Sequence, residues 1–382
     1  MQPVDRAWPW AMVAGEASGD LLGALLLKAM RRRWPELQAC GIGGPRMVGE
    51  GLQAWWPSDR LAVRGYVEVL KHYRGISRIR ESLAERLLAE PPRAFIGIDA
   101  PDFNLGLEAR LKAADIPSIH FVCPSIWAWR GGRVKRIARS VDHVLCMFPF
   151  EPELLQAHGV KASYVGHPLA DLIPLEPDRQ GARRALGLPV DATVVALLPG
   201  SRRSEIQYIA APLLQAARQL QARRPELQFV LPVAPGLESL VQPLAAAQGP
   251  QGLRLLAGRS HEALAACDLT LIASGTATLE AALFKRPMVI AYRMHPLSWQ
   301  LMKRMAYQPW VGLPNILCSS FAVPELIQEA CTPERLAQEA LNWLDQPQRC
   351  DQLRQRFLEL HHQLRCDTAT RATDAIAQVI GA

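Results

Sequence analysis

No Cys-x-x-Cys pair occurs in this chain. Its eight cysteines stand apart from one another, several of them inside apolar runs, and are therefore expected as buried thiols of a reducing compartment. No apolar run approaches the roughly 18 residues that span a bilayer. The stretch Met1 to Arg6 leads straight into a strand and a polar loop, without the pattern of a secretory signal. A cytoplasmic location is expected, with attachment to a membrane surface still allowed. Zinc-finger spacing and the aromatic signature of RNA-binding folds are absent, and the basic residues are dispersed among helical segments, which argues against nucleic acid as a partner. No low-complexity tract or internal repeat stands out beyond a general similarity of two strand-helix halves.

What is present describes a globular chain. Its 382 residues, 49% hydrophobic and 21% charged, suffice for two domains with a full core each. The formal charge of +7 favours anionic partners: a phosphorylated small molecule, an anionic membrane surface or nucleic acid. A polar, proline-bearing stretch from Asp171 to Asp178 marks a linker. The expected division is residues 1–170, residues 171–345, and a helical tail, residues 346–382, that packs back on the first domain.

The most informative stretch is Ala196 to Ile206. Thr193 to Leu198 reads as a buried strand, Pro199 and Gly200 end it, and Ser201 and Ser204 are suitable caps for the helix that follows. Free amides at the helix start, with Arg202 and Arg203, suit a phosphate or diphosphate. An ordinary turn with solvated arginines is the competing reading. A second strand, Leu269 to Ala273, opens into Ser274, Gly275 and Thr276 with Glu280 further on, where a carboxylate suits ribose hydroxyls. Two such loops at neighbouring strand ends favour a nucleotide site. Asn315, in the loop Val311 to Ile316, is a candidate for a base or phosphate contact.

The first half offers different chemistry. After the strand Trp10 to Ala14, a glycine loop carries Ser18, Gly19 and Asp20, read either as sugar-hydroxyl ligands or as helix caps; its glycine spacing is wrong for a dinucleotide fingerprint. A second cluster, Gly41 to Met47, lines the same cleft in this reading. Asp99 ends the buried strand Ala94 to Ile98, at the position where ligands of open α/β sheets bind, and is the candidate general base, ahead of Asp102, which looks like a cap. Trp127 and Trp129 either border a sugar or acyl groove or serve as packing anchors. His167, beside Pro168, reads as structural. Leu61 to Arg80 interleaves apolar side chains, including Val67, Val69, Leu70 and Tyr73, with Arg74, Arg78 and other cations. Such a segment either rests on anionic lipid or is a core-facing helix with a solvated basic side.

Five motifs in order, Val13 to Asp20, Gly97 to Phe103, Pro124 to Trp129, Leu198 to Arg202 and Ala273 to Glu280, together resemble the lipid-A-disaccharide synthase family over essentially the whole chain. The resemblance implies an α/β fold of the GT-B type, two Rossmann-like domains facing across a cleft, with the C-terminal helices returning to the first. It implies an inverting glycosyltransferase that needs neither metal nor cofactor. UDP-2,3-diacylglucosamine and 2,3-diacylglucosamine 1-phosphate would be joined into a β-1,6 disaccharide, with UDP released. By the same resemblance Asp99 is the essential carboxylate, Arg202 and the amides near Ser201 hold the diphosphate, Glu280 the ribose, and Asn315 the nucleotide or its phosphates. Acylated substrates turn the reading of Leu61 to Arg80 toward docking on the anionic inner face of the cytoplasmic membrane. A homodimer is left open. The rivals are a nucleotide-sugar 2-epimerase, an undecaprenyl-linked GlcNAc transferase, and a basic nucleotide- or RNA-binding protein.

Overall fold

The computed structural model describes residues 9–61, 66–127, 131–296, 299–300, 303 and 308–381, with residues 59 and 66–74 described by backbone alone. The chain divides into two compact units, Met1–Asp171 with Leu364–Ala382, and Leu172–Gln363.

The first unit holds a seven-stranded parallel sheet. Its strands are β1 (Trp10–Ala14), β2 (Ala39–Gly43), β3 (Leu52–Pro57), β4 (Phe95–Ile98), β5 (Ser118–Phe121), β6 (His143–Cys146) and β7 (Ala162–Tyr164), in the order β3-β2-β1-β4-β5-β6-β7. The central strands are short and almost wholly apolar because helices cover both faces. On one face Met12, Ile96, Ile119 and Phe121 pack with Leu26, Leu27 and Met30 of the helix Ala17–Arg33, and with Ala372 and Ile376 of the helix Thr368–Val379. On the other, Ala11, Val13 and Phe95 pack against Leu83 and Leu87 of the helix Tyr66–Ala89 and against Phe103, Leu107 and Leu111 of the helix Pro101–Lys112. Truncating a buried side chain such as Phe95 to alanine would cost about 3–5 kcal/mol.

The last helix is tied down at its start and in its middle. The Asp171 carboxylate accepts from the amides of Asp367 and Thr368 at 3.0 and 2.8 Å, and Arg33 pairs with Asp374 at 3.0 Å.

The second unit holds six parallel strands: β8 (Val194–Leu198), β9 (Gln228–Val233), β10 (Arg254–Ala257), β11 (Leu269–Ala273), β12 (Met288–Tyr292) and β13 (Glu325–Ile327), in the order β10-β9-β8-β11-β12-β13. A buried cation aligns the two central strands. Arg183, fully buried, donates to the carbonyls of Ala192 and Ala266 and to the Asp268 carboxylate at 2.7, 3.0 and 2.7 Å; Asp268 in turn accepts from the Val194 amide at 2.8 Å. One ion pair thus sets the starts of β8 and β11 side by side.

In each sheet the strand order reverses once, between β1 and β4 and between β8 and β11. That is where an open parallel sheet leaves a crevice at its carboxyl edge. Ser18 to Asp20, Asp99, Gly200 to Arg202 and Ser274 to Thr276 follow these four strands. Of the basic amphipathic segment, the backbone of 66–74 is helical, while the side chains of Val67, Val69, Leu70, Tyr73 and Arg74 lie outside the described residues; Arg78 is exposed. Among the described residues no helix is long and apolar enough to cross a membrane.

Candidate active site

In the second unit, the loops after β8 and β11 meet in a pocket of about 340 Å³, lined by Gly200, Ser201, Arg202 and Glu205 on one side and by Ser274, Gly275, Thr276 and Glu280 on the other. The helix Thr276–Leu283 begins here, and the first amides of a helix have no partner within it. Ser274 belongs to the frame: its hydroxyl donates to the Val311 carbonyl at 2.9 Å.

The expectation of free amides after Gly200 needs correction. The Ser201 and Arg202 amides donate to Glu205 Oε2 at 2.8 and 3.2 Å, and the Arg202 guanidinium pairs with Oε1 at 3.2 Å. A carboxylate therefore occupies the anion cradle. It also caps the short helix Arg203–Glu205, a task the sequence suggested for Ser201 and Ser204. Gly200 makes this approach feasible: its φ is +114°, and a Cβ there would lie 2.3 Å from Glu205 Oε2. The missed signal was an acid three residues after the helix start, the capping-box spacing. A π-helical turn, Ile206–Ala210, follows directly, a form that tends to occur near functional sites.

Glu280 has a companion the sequence did not announce. Its Oε1 lies 3.6 Å from Nε2 of His261, and the contact with Glu280 raises the His261 pKa above the ordinary histidine value against the pull of burial. Asn315, by contrast, is fully buried and does not line the pocket. Its amide donates to the Val323 carbonyl and to Glu325 at 2.9 and 2.8 Å and accepts from the Val323 amide at 2.9 Å. Glu325 also accepts from the amides of Val311 and Gly312 at 2.9 Å. Asn315 thus holds the loop that holds Ser274.

In the first unit, Asp99 sits at the end of β4 in a left-handed conformation, φ +52°, followed by Ala100 at +45°. Two consecutive non-glycine residues there cost about 1–2 kcal/mol each. The strain is held by the Asp99 amide donating to the Phe121 carbonyl at 2.9 Å and by Asn104 Nδ2 donating to the Asp99 carbonyl at 2.8 Å. Burial pushes the Asp99 carboxyl above its ordinary value and nearby Glu16 adds to this, while His120 and the Ala100 amide pull it down. Asp102 is exposed and pairs with Arg133 at 2.6 Å.

Beneath Asp99 lies a pair absent from the sequence reading. His120 Nδ1 is 2.7 Å from Glu108 Oε1, both side chains wholly buried. Contact with Glu108 raises the His120 pKa above the ordinary value against the opposing effect of burial. Burial pushes the Glu108 carboxyl up as well, so the pair holds its proton tightly. Room for Glu108 comes from Gly97, where a Cβ would lie 2.1 Å from its Oε1.

Asp20 turns out to be structural. It is buried, with Oδ1 accepting from the amides of Gly44 and Met47 at 2.8 and 3.0 Å and Oδ2 from Arg46 at 3.0 Å. It caps not its own helix but the helix Pro45–Gly49, and so ties the two glycine clusters together. Gly19 is buried and Ser18 exposed. Trp127 donates to Glu151 at 3.0 Å and meets Phe148 and Phe150 edge-on; Phe148 stacks on His167 at 5.7 Å. Trp129 lies outside the described residues.

Two parallel sheets, each presenting its candidate loops where the strand order reverses, make an α/β fold of the GT-B type. The fold is shared with a UDP-GlcNAc 2-epimerase from Neisseria meningitidis solved with UDP-GlcNAc, at TM-score 0.64 and 11% identity over 97% of this chain and 99% of that one. It is shared too with the calicheamicin glycosyltransferase, at TM-score 0.59 and 14% identity over 98% and 99%. Residues 10–378 match the family described as lipid-A-disaccharide synthetase. Lipid-A-disaccharide synthases from Verminephrobacter eiseniae and Aromatoleum aromaticum are 58% and 56% identical over 376 and 369 residues, covering 97% and 96% of this chain and 97% and 94% of theirs. The chain belongs to the lipid-A-disaccharide synthase family.

Proposed function

We propose that the enzyme transfers the diacylglucosaminyl group of UDP-2,3-diacylglucosamine to the 6-hydroxyl of 2,3-diacylglucosamine 1-phosphate. The products are the β-1,6 disaccharide 1-phosphate and UDP. The observation that carries this reading is the division of chemistry between the two strand-order reversals: a strained, partly desolvated carboxylate after β4, and an anion cradle with a carboxylate-bearing helix after β8 and β11.

Asp99 takes the proton from the acceptor hydroxyl as its oxygen forms the new bond to the anomeric carbon. The bond from that carbon to the UDP oxygen breaks, and UDP leaves with the electron pair. Charge growing on the diphosphate is met by Arg202, the amides at Ser201 and Arg202 once Glu205 withdraws, and the amides opening the helix at Thr276. Glu280 holds the ribose hydroxyls. Asn315 acts indirectly, by fixing the loop around Gly312 through Glu325. Residues Met1–Asp171 with the returning Leu364–Ala382 form the acceptor side, and Leu172–Gln363, which keeps residues 346–363 of the expected tail, forms the donor side. The basic helix from Tyr66 rests on the anionic inner face of the cytoplasmic membrane, from which both acylated sugars are drawn. Nucleic acid has no part.

UDP release, measured with acylated and with deacylated acceptor, tests the reading. Release that needs the acylated acceptor and disappears in Asp99→Asn supports it; release with equal efficiency from a non-lipid sugar overturns the substrate assignment.

A further inference from the structure

The polar cluster under Asp99 is larger than catalysis by one carboxylate requires. Asn104 and Glu108 stand one turn apart on the helix Pro101–Lys112, so both face the sheet. Asn104 fixes the Asp99 carbonyl, and Glu108 fixes His120. His120 lies on β5 in register with Gly97 of β4, two residues before Asp99. All three side chains are wholly buried, and each keeps one polar atom without a protein partner: Asn104 Oδ1, Glu108 Oε2 and His120 Nε2. Unsatisfied buried polar atoms cost about 1–3 kcal/mol each, and an apolar filling of the same volume would avoid that cost. Three at one spot, directly behind a strained carboxylate, point to a task.

Resting on the reading of Asp99 as the base, we infer that His120, clamped by Glu108, is a positioning residue for it. The imidazolium is a buried positive charge beneath the end of β4 that holds the Asp99 carboxylate in its charged, proton-accepting form. Burial and Glu16 both work against charge on Asp99, and His120 is the cation that opposes them. The groups acting around the imidazole are Glu108 from the neighbouring helix, with Arg136 behind it, and Asp99 from the loop after β4, with Glu16 behind it. Arg80 and Arg133 meet the outer turn, at the Asp102 carbonyl and carboxylate.

The test is the pH profile of kcat/KM in the full-length enzyme for His120→Gln and Glu108→Gln. Loss of the cation lets the Asp99 pKa climb, so the acid limb moves up by about one pH unit. Activity falls roughly tenfold on that limb and returns to near the parent value at high pH, with the donor KM unchanged. Glu108→Gln is nearly isosteric and shifts the limb in the same direction, which keeps the question answerable where His120→Gln lowers stability. A uniform loss at every pH, or an acid limb that stays in place, overturns the inference. Asp99→Asn, run alongside, separates the two levels: full activity in that variant sinks the assignment of the base itself, whereas an inactive Asp99→Asn with unmoved limbs sinks only the role of His120.

Discussion

The carboxylate of Glu205 accepts the Ser201 amide at 2.8 Å, filling the space an anionic ligand needs at the start of the helix. The same oxygen takes the Arg202 amide, and its twin pairs with the Arg202 side chain. Glu205 therefore acts as an internal competitor. Glu205→Gln removes a like charge from beside the diphosphate, and UDP should bind about fivefold to tenfold tighter, equivalent to about 1 kcal/mol. Isothermal titration with UDP decides it, and weaker binding would show that Glu205 organises the loop for the ligand instead.

Asp99 combines a raised pKa with a left-handed backbone, and the two features make separable predictions. Activity should decline as pH falls through a value above the ordinary aspartate range, because the protonated acid cannot accept the acceptor's proton. Asp99→Asn should lower turnover by roughly 10²–10⁴-fold. Its melting temperature should hardly change, since asparagine tolerates a positive φ about as well as aspartate.

Glu151 and His167 flank the same aromatic cluster and titrate in opposing senses. Burial drives Glu151 up to about 7 and His167 down to about 4. The acid is bound more tightly by a proton when folded, so its stabilising contribution is present at low pH and is lost as pH rises through 7. The imidazole is bound less tightly, so its contribution is present above the unfolded histidine value and is lost as pH falls toward 4. Each effect amounts to about 3 kcal/mol, and between roughly pH 4.5 and 6.5 the slopes cancel. Denaturation midpoints measured across that window as differences from the parent isolate each contribution. Glu151→Gln should then gain stability with rising pH, and His167→Asn should lose it.

If the basic helix docks on lipid, reversing Arg74 and Arg78 to glutamate should release the enzyme from anionic vesicles. Each cation near such a surface contributes about 1 kcal/mol, so the double variant should partition at least roughly tenfold less, while neutral vesicles show little difference. Co-sedimentation gives the answer, and unchanged partitioning would assign that face another role.

The strands and their terminal loops were legible because apolar runs ending in glycine, serine or acid encode both an interior strand and the place where its ladder stops. Gly200, Gly275 and Asp99 all lie on such ends. What escaped was tertiary in origin. Asp20 looks like a first-turn acid of its own helix, yet its oxygens are spent 24 to 27 residues away, on Gly44, Arg46 and Met47. Glu108 and His120 look like a solvated acid and a strand histidine until the side-chain-free Gly97 lets them meet. Asn315 looks like a ligand because a polar residue in a loop after a strand is usually exposed; its burial follows from the return of β13 beside β12.

The helix Thr368–Val379 supplies Ala372, Ala375 and Ile376 to the core of a sheet whose first strand begins at Trp10. During synthesis that sheet stays incompletely covered until Thr368–Val379 has been made, after the whole of Leu172–Gln363. A chain broken off before Thr368 would thus spoil the unit that holds Trp10 rather than the unit made just before the break.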